Sequence, residues 1–223
     1  MFGLDPTPFD LRLVAFRIPI RVHPSFWLFG AYMSWNPNHV DLVFIWVMCL
    51  FVSILVHELG HALAAEAFGW PAEIVLYWCG GLMFSQRHHH RTPLREIAVS
   101  LAGPFAGFGL FGLILLIEYL IPETVELPRN VRFIFGCMVQ INLFWGLVNL
   151  LPVLPLDGGQ VCQSLFAWFR HRDPARIAMQ ISLVFALAAA AYFFRDRTMN
   201  FAGMLFAFLF IQNLVSLQSH RSW

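Results

Sequence analysis

The stretch DLVFIWVMCLFVSILVHELGHALAAEAF, residues 41–68, decides the fold. From residue 43 onward it predicts an apolar helix, and about 20 apolar residues are enough to cross a hydrocarbon core of about 30 Å. Its second half carries His57, Glu58 and His61. A strongly polar side chain at membrane depth costs about 2.5–3.5 kcal/mol on insertion scales, so three of them this close together indicate a function.

The spacing of these three residues fits a metal. Side chains four positions apart on an α-helix lie about 40° apart around its axis, so His57 and His61 can offer their imidazoles to one cation. Glu58 lies between them in angle, and the H-E-x-x-H pattern predicts one zinc ion with a carboxylate beside it. The alternative is a structural network satisfied by neighbouring helices, but such a network has no need of this spacing.

The composition excludes a soluble domain. Of the 223 residues, 59% are hydrophobic, 16% aromatic and only 12% charged, and the mean hydropathy is +0.66. This composition is typical of polytopic membrane proteins. The net charge of +1 gives no reason to expect a nucleic-acid partner, and we expect none. The first ten residues contain acids and prolines, so we expect no cleavable signal peptide.

The hydropathy pattern predicts an all-α polytopic membrane protein with about six transmembrane helices and a small re-entrant or interfacial β element. The spans are expected at residues 24–35, 43–68, 97–121, 133–151, 177–194 and 199–217. The first of these is marginal, because twelve residues rise only about 18 Å as a helix. Nothing in the last two spans suggests chemistry, and we expect them to pack around the core or to form a gate.

Two segments have the composition of strands. Residues 11–23 alternate between apolar residues and arginine, which predicts one or two short strands or an interfacial segment. Residues 73–85 predict a hairpin or a re-entrant loop with Gly80 and Gly81 at its centre. An exposed edge there could pair with an extended peptide, and a plain interfacial hairpin is the alternative.

Residues 149–159, which read NLLPVLPLDGG, break a helix with two prolines. Backbone groups left unpaired at membrane depth are typical of a cavity wall. Asp157 could cap the helix that follows or provide the third, oxygen ligand of the zinc, and from these residues alone capping is favoured. The polar run that contains His88, His89 and His90 could bind a second metal, but a solvated loop is the better interpretation.

Arginine counting gives an orientation. If residues 24–35 cross the membrane, ten arginines lie on one side and four on the other: positions 12, 17, 21, 87, 91, 95, 170, 172, 176 and 221 against 129, 132, 195 and 197. The positive-inside rule makes the ten-arginine side cytoplasmic. The polar half of the 43–68 helix is nearer that side, so we expect the site to face the cytoplasm.

Four segments occur in a characteristic order: the motif HELGH at 57–61, the glycine pair at 80–81, the motif SLAGP at 100–104, and the broken stretch at 149–159. Together they resemble the site-2 protease family of intramembrane zinc metalloproteases, over residues 17–169 or so. The resemblance implies that His57, His61 and Asp157 bind one Zn²⁺ ion. It also implies that Glu58 is the catalytic general base.

The resemblance further implies that Asn149 helps to position the substrate or the site, and that the segment with Gly80 and Gly81 meets the substrate. It implies a single membrane-embedded metalloprotease domain over residues 1–223, with a core at about 17–169 and two accessory transmembrane helices at 177–217. We expect no inserted PDZ domain and no C-terminal CBS domain.

The expected activity is that of a zinc metalloendopeptidase that hydrolyses a peptide bond within or near a transmembrane segment of another membrane protein. Its expected partners are that substrate and the lipid bilayer of the cell membrane. A metal or small-solute transporter is the main alternative, but the second half has no counterpart of the H-E-x-x-H helix, as an internal repeat would require. A catalytically idle membrane adaptor is a third possibility.

Overall fold

The computed structural model describes residues 6–85, 91–122, 124–195 and 200–219. Seven helices and four strands lie in this part of the chain: β1 (Leu11–Ala15), β2 (Ile18–Val22), α1 (Pro24–Met33), α2 (Val40–Ala67), β3 (Ala72–Tyr77), β4 (Gly80–Ser85), α3 (Pro93–Leu120), α4 (Arg129–Asn149), α5 (Asp157–Trp168), α6 (Pro174–Phe193) and α7 (Asn200–Ser219). The predicted fold class is therefore confirmed. The histidines at 88–90 and the arginines at 87, 197 and 221 lie outside the described residues.

Five of the described helices, α2, α3, α4, α6 and α7, are long and apolar enough to cross a membrane. Their exposed surfaces carry large apolar side chains such as Phe44, Leu116 and Val215, as expected for surfaces that face lipid. The predicted span at 24–35 is a helix, α1, but its ten residues rise only about 15 Å, half of a hydrocarbon core.

The four strands form one sheet in the order β1-β2-β3-β4. Each hairpin is antiparallel, whereas β2 and β3 pair in parallel, with Ile20 opposite Ile74. The second hairpin turns at Trp78 and Cys79, so the glycine pair begins β4 rather than occupying the turn. The parallel pairing joins strands that α1 and α2 separate in sequence, which a local pattern cannot predict.

The chain forms two compact units, one of residues 1–89 and 102–146 and the other of residues 90–101 and 147–223. In the first unit, α2 packs on α1 and on the last two strands of the sheet. In the second unit, α7 packs along α6, and α5 packs on α6. The prediction of a single domain over residues 1–223 stays a prediction.

Candidate metal centre

Helix α2 buries all three residues of the H-E-x-x-H pattern. His57, Glu58 and His61 are only 3%, 5% and 6% exposed. The Nε2 atoms of the two histidines lie 3.1 Å apart, with their rings nearly perpendicular. Two nitrogens that meet in this way, inside an apolar helix, form the half of a metal site that the spacing predicts.

Asp157 is the first residue of α5 and is 7% exposed. The position before the helix, where a capping side chain would lie, is Leu156, and no side chain there makes a capping hydrogen bond. Asp157 is therefore not the N-cap residue, contrary to the interpretation that its local sequence favours.

His57 and His61 belong to the first compact unit and Asp157 belongs to the second. Two ligands bound to a tetrahedral zinc at about 2.0–2.1 Å are about 3.3 Å apart, and the 3.1 Å between the two Nε2 atoms matches this separation. Two imidazoles and a carboxylate form a donor set of catalytic zinc sites, which leave a fourth position open. The residues present fit the ion.

The glycine pair of β4 lies close to α2 and α4. A β-carbon on Gly81 would overlap the carboxylate of Glu58. Gly80 has a φ of +121°, and a β-carbon there would lie 2.8 Å from the ring of Trp145. Only glycine allows this approach and this backbone conformation. The strand with this pair is at the edge of the sheet, paired on one side with β3.

Helix α3 approaches the same histidines. A β-carbon on Gly103 would overlap the ring of His61, and one on Gly60 would lie 2.5 Å from the carbonyl oxygen of Ala102. The sequence suggests only close helix packing for the small residues of the SLAGP motif. The structure adds that Gly103 leaves the space in which the His61 imidazole lies.

A buried hydrogen bond joins α2 to α4 one turn before the first histidine. Asn142 Nδ2 donates to Ser53 Oγ at 2.9 Å and to the carbonyl oxygen of Met138 at 2.7 Å. Ser53 and Asn142 are each 2% exposed. Ser53 lies four residues before His57, so this bond fixes the rotation of the helix that carries His57 and His61. Polar residues within apolar spans are the sequence signal for such a pair.

The environment of Tyr77, at the end of β3, adds a neighbour of Glu58 that the sequence does not reveal. Burial raises the pKa of the Tyr77 hydroxyl, and the adjacent Cys79 and the charge of Glu58 raise it further. Burial also raises the pKa of the Cys79 thiol, although its hydrogen bond with Tyr77 lowers that pKa. Both groups are therefore neutral near Glu58 at physiological pH.

Asn149, the last residue of α4, is 8% exposed.

The sequence profile of peptidase family M50 matches residues 45–131 and 112–191. These ranges include both histidines, Glu58 and Asp157 and cover more than half of the chain. The matched ranges also include α3, α4 and α5 and most of α6.

Curated relatives of this chain include a zinc metalloprotease and a sporulation protein. A candidate zinc metalloprotease of Synechocystis sp. is 35% identical over 165 residues, which are 67% of this chain and 42% of the relative. Stage IV sporulation protein FB of Bacillus subtilis is 32% identical over 172 residues, 76% of this chain and 56% of the relative. The chain thus spans about half the length of these relatives.

One structural neighbour is the site-2 protease from Methanocaldococcus jannaschii. Its structure has a TM-score of 0.62, with 21% sequence identity, over 94% of this chain and 95% of that one. At this level of identity the likeness extends to the fold alone.

Proposed function

The chain belongs to peptidase family M50, and from that premise we propose that it is a zinc-dependent endopeptidase acting inside the membrane. It would hydrolyse a peptide bond within or near a transmembrane segment of another membrane protein. One observation carries the proposal: the carboxylate of Glu58 is buried next to the converging His57 and His61, against Gly81 of the edge strand β4. The matched family and fold neighbour are proteases, so they lend the transporter alternative no support.

His57, His61 and Asp157 are the proposed ligands of one Zn²⁺ ion, because the two imidazoles converge and a carboxylate completes a donor set of catalytic zinc sites. A bound zinc ion supplies Lewis acidity, which polarises the scissile carbonyl and favours ionisation of a water molecule. Glu58 takes the proton of the attacking water and transfers it to the amine nitrogen that departs. The four residues thus divide between metal binding and proton transfer.

The edge of β4 is the proposed binding surface for the substrate. A transmembrane helix hides its carbonyls in hydrogen bonds, so the segment to be cut must first unwind. An unwound segment can pair with a strand edge through its backbone, and Gly81 brings that edge against Glu58. Gly80 and Gly81 would thus keep side chains out of the path of the substrate. Asn149, close in sequence to Asp157, would help to position the substrate or the site.

We also propose that the site faces the cytoplasm. Strand β2, with Arg21, pairs with β3, the strand that follows α2, and on its other side it pairs with β1, which carries Arg12. Arg17 lies in the turn between β1 and β2. Helix α1 is too short to cross the membrane. The pairing nevertheless supports placing Arg12, Arg17 and Arg21 on the same side of the membrane as the arginines that follow β4. The ten-to-four excess of arginine then favours a cytoplasmic site in the cell membrane.

The deciding experiment compares cells that produce the wild-type protein with cells that produce Glu58→Gln. We expect fragments of one or a few membrane proteins to disappear in the variant, identified by quantitative mass spectrometry of the membrane fraction. Identical fragments in both cells, with both proteins present at equal levels and loaded with zinc, would instead favour the idle adaptor.

A further inference from the structure

Both backbone polar groups of Leu154 are bound by side chains of the last two helices. The Leu154 N–H donates to Ser182 Oγ of α6 at 2.8 Å, and Asn213 Nδ2 of α7 donates to the Leu154 carbonyl oxygen at 2.6 Å. Leu154 lies three residues before Asp157, in the segment between α4 and α5 that is neither helix nor strand. The two long-range bonds therefore meet at one residue of the connection that leads to the carboxylate.

Each of the two side chains is also fixed to its own helix. The hydroxyl of Ser182 donates to the carbonyl oxygen of Ala178 at 2.7 Å, and Asn213 Nδ2 donates to that of Leu209 at 2.8 Å. Ser182 is fully buried and Asn213 is 3% exposed. The bonds within each helix therefore fix the orientation of both side chains independently of Leu154. We call the rigid pair of Ser182 and Asn213 the bracket.

The bracket meets a need that the prolines create. Proline has no backbone N–H, and Pro152 and Pro155 prevent the segment from continuing a helix. Within a membrane, irregular backbone is tolerated only where its polar groups find partners in the protein or in a water-filled cavity. Ser182 and Asn213 supply those partners to Leu154, although both lie in spans whose apolar sequence suggests only packing.

The neighbours of Leu154 couple the bracket to α5. Val153 is fully buried in a cluster with residues of α6 and α7, among them Ala186 and Phe206. A β-carbon on Gly159, in the first turn of α5, would lie 2.5 Å from the backbone nitrogen of Leu154. Because backbone contacts backbone there, a displacement of Leu154 displaces the turn of α5 that begins with Asp157.

We propose that Ser182 and Asn213 are positioning residues for Asp157, and that α6 and α7 determine where this carboxylate lies relative to the metal. The inference rests on the proposed function, because it takes Asp157 as a zinc ligand. It replaces passive packing with a defined task for α6 and α7. Loss of either bond loosens Leu154 and so displaces the carboxylate without changing any ligand.

The test uses the full chain, purified and reconstituted in lipid nanodiscs, with Ser182→Ala and Asn213→Ala made separately. Each variant removes one bond and leaves the other, so either one tests the inference if its partner fails to fold. We expect the dissociation constant for Zn²⁺ to rise about tenfold in each, as for residues that orient metal ligands. We also expect the visible absorption spectrum of the Co²⁺-loaded protein to change, because the ligand geometry changes.

Phe193→Leu is the matched control, because it loosens the same helix pair without removing either bond to Leu154. Phe193 stacks on Phe206 at a ring-centroid distance of 5.6 Å. We expect this variant to unfold at a lower temperature yet to keep the wild-type zinc affinity and Co²⁺ spectrum. Wild-type values in Ser182→Ala and Asn213→Ala, or equal losses in Phe193→Leu, would overturn the inference.

Asp157→Asn in the same assay separates this inference from the proposed function. If that variant binds Zn²⁺ as the wild type does, Asp157 is not a ligand and the proposed function fails at that residue. If it loses Zn²⁺ while Ser182→Ala and Asn213→Ala retain it, the proposed function stands and only the positioning role is wrong.

Discussion

The carboxylate of Glu58 occupies the space that a side chain at Gly81 would need. The proposed general base, on a membrane helix, thus lies against the backbone of an edge strand. Residue 81 has no side chain, which lets the carboxylate and an extended peptide approach the same point.

We predict that Gly81→Ala lowers proteolytic activity about 100-fold, because a displacement of about 1 Å at a reacting group has an effect of that size. The added methyl meets the flexible end of Glu58, so the side chain moves and the fold is retained. Activity, zinc content and thermal unfolding of the purified variant are the measurements. Gly109→Ala is the control, since a β-carbon there has no neighbour within 4 Å among the described residues. Unchanged activity in Gly81→Ala would show that the contact between residue 81 and the Glu58 carboxylate does not affect catalysis.

Glu58→Gln should abolish cleavage while zinc stays bound. The amide retains the shape of the side chain but cannot accept a proton, and general-base catalysis contributes about 10²–10⁴-fold. Product formation and metal content check this prediction. The same change at Glu66, about two turns further along α2 and hydrogen-bonded to the Ala72 N–H, should leave activity intact. A Glu58→Gln protein that still cleaves would remove Glu58 from the mechanism.

Gly103→Ala should weaken zinc binding about tenfold, because its methyl group overlaps the imidazole of His61 and forces the ring to move. Competition for Zn²⁺ with a chelator measures the effect. Gly112→Ala on the same helix, where a β-carbon has no described neighbour within 4 Å, should bind zinc like the wild type. Equal zinc affinities in the two variants would show that the space at Gly103 is not needed to place the His61 imidazole.

Asp157→Asn should weaken zinc binding by more than about 100-fold, since even residues that only orient a ligand contribute 10- to 100-fold. The neutral amide oxygen is a poorer ligand than a carboxylate. Dialysis followed by metal analysis provides the measurement. Asp41→Asn, at an exposed position in the first turn of α2, is the control and should retain its zinc. Retention of zinc by Asp157→Asn would exclude it as a ligand.

The N-terminal hairpin should lose stability in acid. Burial alone would raise the pKa of Asp10, but hydrogen bonds from Thr7 and Arg21 lower it from an ordinary 3.8 to about 2. The ionised carboxylate therefore stabilises the fold above pH 3.8, and this contribution is lost as the pH falls through about 2. Thermal unfolding from pH 5 to pH 2 should show a steeper decline in the wild type than in Asp10→Asn. Parallel declines would show that this carboxylate has no such effect.

Local sequence predicts the features that one helix determines. The length of the apolar runs predicts five spans, and the spacing of His57 and His61 predicts two converging imidazoles. These relations depend only on the rise and turn of an α-helix. The short span at 24–35 is the exception, because its twelve apolar residues fit either an interfacial helix or part of a crossing.

Relations between distant segments could not be read in the same way. The residues around Asp157 resemble a helix N-terminus, so local chemistry favours a cap, although the structure has Leu156 at that position. Ser182 and Asn213 lie in mostly apolar spans, and nothing near them in sequence indicates Leu154 as their partner. Tertiary packing determines such pairs, and the periodic pattern of apolar residues in the sequence contains no information about them.

The parallel pairing of β2 with β3, in which Ile20 lies opposite Ile74, closes residues 20–74 into a loop whose two ends are joined by backbone hydrogen bonds. The bond from the His23 N–H to the Leu76 carbonyl oxygen, at 2.9 Å, adds a further tie. Helix α2 lies inside this loop and only four residues, 68–71, connect it to β3, so we expect it to move along its axis only together with the sheet. We therefore expect the route by which peptide and water arrive to open through the mobility of other helices, while the two imidazoles keep a constant depth in the bilayer.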